Sequence, residues 1–276
     1  MPPHLAPHYA HKGIRLPKPA PGPVADQAAG LRRMFDQRPH QLVAFAAGDE
    51  RCGRTPLVVQ TALALAQAGE RVIIIDENSG PKRAMAKLGV DIPGDLWDSL
   101  IARIALQRLI VPVAHNLWAL AADGVAARLH QDVPEIREKL DMVMNPIMGG
   151  AEFVLVDSKL SREGHLSLLS STAEHMVVVV GAEGDSITEA YGLIKRLSQE
   201  RGRDGFHIVI TRPKSDDIGR KVFENLKRTA QQHLGVRLDL LAVVISPTSG
   251  DLAEELFSRL PHPIGNTMGH RITELR

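Results

Sequence analysis

Short runs of aliphatic residues, apolar at consecutive rather than alternate positions, recur along this chain between helix-length amphipathic stretches. The clearest are residues 71–76 (RVIIID), 152–157 (EFVLVD), 175–180 (HMVVVV) and 206–211 (FHIVIT). A strand that is apolar on both sides must be covered on both, which points to a sheet buried between two layers. Alternation of such strands with helices makes that sheet mostly parallel and doubly wound, an α/β fold of about seven strands with helices on both faces. Further strands are expected at 41–47, 117–121 and 239–245. Helices are expected at 55–68, 94–109, 133–146, 161–172, 185–201, 216–235 and 251–260. In sheets of this kind ligands sit beyond the carboxyl ends of the strands, so the residues that follow each strand carry the functional information.

The organisation along the chain is uneven. Residues 1–23 hold seven of the 18 prolines, and the first acidic residue is Asp26. Such a segment can neither repeat a helix nor bury a core, so it reads as a disordered Pro/His-rich tail. His4, His8 and His11 lie within it; without a scaffold to fix coordination geometry they read as solvated residues rather than a metal site. Residues 24–37 read as a short helix in which Val24, Ala28, Leu31 and Phe35 would share one face. The α/β domain is expected to span 41–262, and 263–276 reads as a flexible C-terminus with too little apolar moment to anchor a membrane.

Lysine and arginine number 33 against 32 for aspartate and glutamate, so no global field favours nucleic acid or an anionic membrane. Arg220, Lys221, Lys227 and Arg228 are cationic on helix 216–235, yet Asp216, Asp217 and Glu224 dilute them and no aromatics interleave. A single cysteine, Cys52, excludes a disulfide framework within the chain. The start lacks the apolar core of a secretory signal and no run is long enough to span a bilayer, so a cytoplasmic protein is expected.

After the first strand comes Gly48-Asp49-Glu50-Arg51-Cys52-Gly53-Arg54-Thr55, followed at once by a helix. Strand, glycine-bounded loop and helix start are the setting of a phosphate-binding P-loop, where backbone N–H groups cradle phosphates, a lysine reaches the outer oxygens and a Ser/Thr hydroxyl holds Mg²⁺. Arg54 stands at the lysine position, and a planar guanidinium is no substitute for a compact ammonium in a tight loop. Asp49 and Glu50 put two carboxylates where phosphate oxygens would approach; like charges about 4 Å apart repel by roughly 4 kcal/mol at an effective dielectric near 20. The loop residues alone leave a nucleotide site and a plain strand-to-helix turn both open.

Three stretches carry a family resemblance. Residues 42–80 resemble the deviant Walker A region of MinD/ParA ATPases. Residues 177–197, with the run Ser186 to Lys195, and residues 206–244 resemble the back half of the flagellar-number regulators FlhG and FleN. Asp26-Gln27-Ala28-Ala29-Gly30-Leu31-Arg32 fits the DQAxxLR motif of the FlhG N-terminus at every fixed position. The likeness covers about residues 24–260 and implies a MinD-like P-loop fold in a cytoplasmic regulator of flagellar number or placement, recruited to the cell pole or flagellar base.

The resemblance also implies partners and a nucleotide site. Through Asp26, Gln27, Ala28, Leu31 and Arg32 the N-terminal helix would dock on an FlhF-like GTPase and stimulate it, an amide such as Gln27 being able to position an attacking water. Other flagellar switch or transcription proteins are further partners it admits; nucleic acid is not among them, and the membrane is reached only through a partner. The nucleotide set would be Gly48, Gly53, Arg54, Thr55, Asp76 and Asp157, with Thr55 and Asp157 on any Mg²⁺. Departures from the family pattern are several: Asp49 replaces the loop's first lysine, Arg51 a glycine, Asn78 the second carboxylate of DxD and Thr211 an adenine-contacting asparagine, while Ser158, Lys159 and Leu160 follow Asp157 in place of small residues. They imply a pseudo-ATPase with no confident catalytic residue. Mg-ATP or ADP is a cofactor only if the remnant still binds, and the alternative is a slow MinD-like ATPase.

Overall fold

A computed structural model describes residues 40–130 and 133–245. Eight strands form one sheet in the order β3-β4-β2-β5-β1-β6-β7-β8, where β1 is Gln41–Ala46, β2 Val72–Asp76, β3 Val111–Ala114, β4 Leu117–Ala121, β5 Phe153–Asp157, β6 His175–Gly181, β7 Gly205–Thr211 and β8 Arg237–Val244. Every neighbouring pair is parallel except β3 with β4. The two-sided apolar strands sort as their sequences demand. Val43, Phe45, Ile74, Leu155, Val177 and Val179 enter one core; Ala44, Ile73, Ile75, Val154, Val156 and Val178 enter the other.

The helices between them are α1 (Arg54–Gln67), α2 (Ala84–Leu88), α3 (Leu96–Leu100), α4 (Leu106–Leu109), α5 (Asp123–Arg128), α6 (Pro134–Met148), α7 (Leu168–Ser171), α8 (Gly184–Arg201) and α9 (Asp216–Leu234). Leu57, Leu65 and Met85 of α1 and α2 pack into the first core, and Leu140, Leu193 and Phe223 of α6, α8 and α9 into the second.

Several expectations need correction. To the seven strands expected, Val111–Ala114 adds an eighth, an antiparallel edge in which Pro112 is tolerated as it would not be in a central strand. The helix expected over 94–109 is two short helices. Asp95 and Asp98 close a capping box on α3, and Ala102 then turns left-handed at φ 56°. Over 161–172 only Leu168–Ser171 is helical; Gly164 at φ 85° and the Ser161–His165 backbone bond make the preceding stretch a turn. Helices α2 and α5 were not expected, being little more than one turn each. The helix at 251–260, the docking helix at 24–37, the tail 1–23 and the terminus 263–276 lie outside the described residues.

Register sets the site. Asp76 pairs with Asp157, and Asp157 with Phe45, so the carboxyl ends of β2, β5 and β1 stand side by side. The loop that leaves β1 therefore crosses directly above both carboxylates.

Candidate functional site

Asp49 caps a single 3-10 turn at Glu50–Cys52, its Oδ1 accepting the Arg51 amide at 2.9 Å and the Arg51 Nε at 3.1 Å. The Cys52 amide donates to the Asp49 carbonyl at 3.3 Å. Gly53 follows at φ 89°, a conformation that costs other residues about 1–2 kcal/mol, and α1 begins at Arg54. Glu50 points to solvent, whereas Asp49 is turned in upon the loop's own amide. The two carboxylates expected to repel phosphate together thus act differently: one is simply exposed, and the other occupies a donor.

Arg54 does not reach outward. Its side chain folds beneath the loop, where Nε donates to Asp157 Oδ1 at 2.6 Å and Nη2 to Asn78 Oδ1 at 2.9 Å. Arg54 is 7% exposed and Asp157 fully buried. Burial would lower the guanidinium pKa, but the charge and hydrogen bond of Asp157, with nearby Cys52 and Glu77, together outweigh it and the net shift is upward, so Arg54 stays cationic. Thr55 Oγ1 donates to Asp157 Oδ2 at 2.7 Å, leaving each carboxylate oxygen with a donor. Asn78 completes the cluster through Nδ2, which donates to the Asp157 carbonyl at 2.9 Å and to Asp76 Oδ1 at 3.2 Å. Asp76 also accepts from the amides of Asn78 and Met85, and its pKa is raised by burial first and by nearby Asp157 second.

The glycines of the motif have local explanations. A Cβ on Gly48 would lie 2.4 Å from the backbone carbonyl oxygen of Glu189, because α8 presses on the loop there. One on Gly53 would lie 2.7 Å from Nη2 of Arg212. Arg212, itself left-handed at φ 53°, donates from Nη2 to the Arg51 carbonyl at 2.7 Å, and Thr211 Oγ1 donates to the Cys52 carbonyl at 2.6 Å. In the run Ser186 to Lys195, Ser186 accepts the Gly181 amide at 2.7 Å and closes the end of β6.

Two participants carry no motif signal in the sequence. Arg212 is one. Glu77 is the other: it is fully buried between Asp76 and Asn78, accepting from Ser167 Oγ through Oε1 and from the Lys159 amide at 3.1 Å through Oε2. Both ends of the 158–167 loop are fastened to this one carboxylate, whose pKa burial pushes up to about 7 against those hydrogen bonds.

The residues present do not fit Mg-ATP. The cation that should meet phosphate is paired internally, and the Thr55–Asp157 pair that would hold the metal already bears a guanidinium. A divalent ion within about 4 Å of it would be repelled by roughly 8 kcal/mol at an effective dielectric near 20. Among the described residues no group of three His, Cys, Asp or Glu side chains could hold a metal, and no helix is long and apolar enough to cross a membrane. On α9 the cationic face is partly self-compensated, with Arg220 bonded to Asp216 at 2.6 Å and Lys227 over the Phe223 ring. Residues Asp26, Gln27, Ala28, Leu31 and Arg32 lie outside the described residues.

No family model matches the chain. It is 26% identical over 215 residues to the antiactivator FleN of Pseudomonas aeruginosa, across 78% of this chain and 76% of that protein. It is 19% identical over 206 residues to the flagellum site-determining protein YlxH of Helicobacter pylori, across 74% and 69%. Among solved structures, the MinD cell division protein of Aquifex aeolicus superposes with a TM-score of 0.56 at 22% identity, over 81% of this chain and 91% of that one.

Proposed function

We propose that the chain, similar in sequence to FleN and YlxH and MinD-like in fold, is a MinD/ParA-type regulator of flagellar number or placement that works without hydrolysing nucleotide. The flagellar part is supported by the similarity to FleN and YlxH and by the run Ser186 to Lys195. The non-hydrolysing part rests on one observation, the buried Arg54–Asp157 pair at 2.6 Å, which commits both the loop's cation and the metal-binding carboxylate to each other. The partner is an FlhF-like GTPase, engaged by the segment carrying Asp26, Gln27, Ala28, Leu31 and Arg32, with Gln27 positioning the attacking water. Recruitment to the pole or flagellar base follows from that partner.

A slow ATPase is the second reading, favoured by the retained Thr55–Asp157 contact at 2.7 Å and by Asp76. A GTPase assay with a purified FlhF-like partner separates them. Stimulation that persists without ATP and is lost in Gln27→Ala is the expected result. Stimulation that requires ATP, or that survives the substitution, overturns the proposal.

A further inference from the structure

The loop and the nucleotide its spacing implies disagree in two separable ways. One is charge: the Arg54 guanidinium, 2.6 Å from Asp157 Oδ1, already neutralises the carboxylate through which a metal ion would be held. The other is hydrogen bonding. Asp49 Oδ1 takes the Arg51 amide at 2.9 Å, and the Asp49 carbonyl takes the Cys52 amide, although amides of such a turn are the donors a P-loop directs at phosphate oxygens. Burial opposes the charge on Asp49, but the Arg51 amide and guanidinium together with Arg212 outweigh it and hold the carboxyl below its usual range. The backbone, meanwhile, keeps its cradle-like form: Gly53 is left-handed, and α1 starts without a side-chain cap from that residue.

We infer that Asp49 and Arg54 are tethered stand-ins for a phosphate oxygen and for the charge of a metal ion, holding shut a loop that retains the form to bind a nucleoside polyphosphate. The inference rests on the non-hydrolysing reading and adds the means by which the site is closed. Because one stand-in replaces the anion and the other the cation, removing each has a different signature. Freeing the Arg51 amide favours any phosphate, with or without Mg²⁺, while the Cys52 amide stays on the Asp49 carbonyl; freeing Asp157 favours only the metal-bound ligand.

The test is calorimetry on the full chain, comparing wild type, Asp49→Gly, Arg54→Lys and the double variant. The probes are ADP and inorganic pyrophosphate, each with Mg²⁺ and with a chelator, and a thermal melt establishes that each variant folds. Asp49→Gly, which leaves the buried pair untouched, is expected to bind pyrophosphate in either condition. The double variant is expected to bind Mg-ADP at least about tenfold more tightly than either single variant, the scale of one charge-assisted hydrogen bond. A cooperatively folding double variant that binds neither probe overturns the inference, as does full binding restored by Arg54→Lys alone. Wild-type ATP turnover overturns instead the reading on which it rests, whatever the variants do.

Discussion

Replacing Arg54 by methionine tests whether the buried ion pair holds the loop as described. The substitution keeps most of the side-chain length but leaves Asp157, fully buried, with Thr55 Oγ1 as the side-chain donor to its carboxylate. It also removes the 2.9 Å bond to Asn78, loosening the tie between the ends of β2 and β5. Breaking a buried pair by removing one partner costs about 3–5 kcal/mol, because the remaining charge is uncompensated. For a domain of this size each kcal/mol moves the melting midpoint by about 2–4 °C, so the expected loss is roughly 6–20 °C. Urea unfolding at constant m gives the free energy directly. Adding Asp157→Asn should recover at least half of the loss, since the double change removes the charge along with its partner and the two sites are in contact. A cost below about 1 kcal/mol for Arg54→Met, or no recovery in the double variant, would refute the claim that the pair is a buried, mutually dependent unit.

Glu77 gives a pH dependence of definite sign. Its pKa is about 7 in the folded chain against 4.5 for the free group, so the folded state binds more protons, and this group's contribution to stability falls as pH rises from about 4.5 through 7. Glu77→Gln should flatten that part of the profile; the difference in unfolding free energy between wild type and variant should change by up to about 3 kcal/mol across the window, read from melts at a series of pH values. At Gly48, valine would drive a side chain into the Glu189 backbone, and a loss of about 1–3 kcal/mol is expected by denaturant titration. A neutral Gly48→Val would mean that α8 does not press on the loop.

How much of this was legible in the sequence depends on the range of the interaction that decides each feature. The long parallel strands were readable because apolarity on both faces is a local property, visible in RVIIID or HMVVVV without knowing what covers them. The edge strand at Val111–Ala114 was not, since four residues with a proline owe their pairing to the neighbouring strand rather than to their own pattern. Helix 94–109 is two helices because apolar spacing runs across the break that left-handed Ala102 makes after Leu100, while the capping box of Asp95 and Asp98 marks only where the first begins. In the site, the position of the loop and the identity of Arg54 were plain. The direction of that side chain was not, because its partner lies 103 residues away and meets it only through the register of β1 with β5. Glu77 stayed hidden for the same reason: its donors, Ser167 and Lys159, come from a distant loop.

The steric demands on Gly48 and Gly53 have a consequence for how such a chain changes over time. Both positions are pinned by the protein's own parts, Gly48 by a helix backbone and Gly53 by its left-handed φ of 89°, so substitutions there carry a folding penalty even when no nucleotide is bound. The spacing of a phosphate loop can therefore outlast its chemistry: drift is free to erode the lysine and the outer carboxylates, while the two glycines persist as a fossil of architecture. In chains descended with this packing, the glycine pair records how α8 meets the loop and how the loop turns into α1, and the residue at position 54 is the better marker of whether anything is bound.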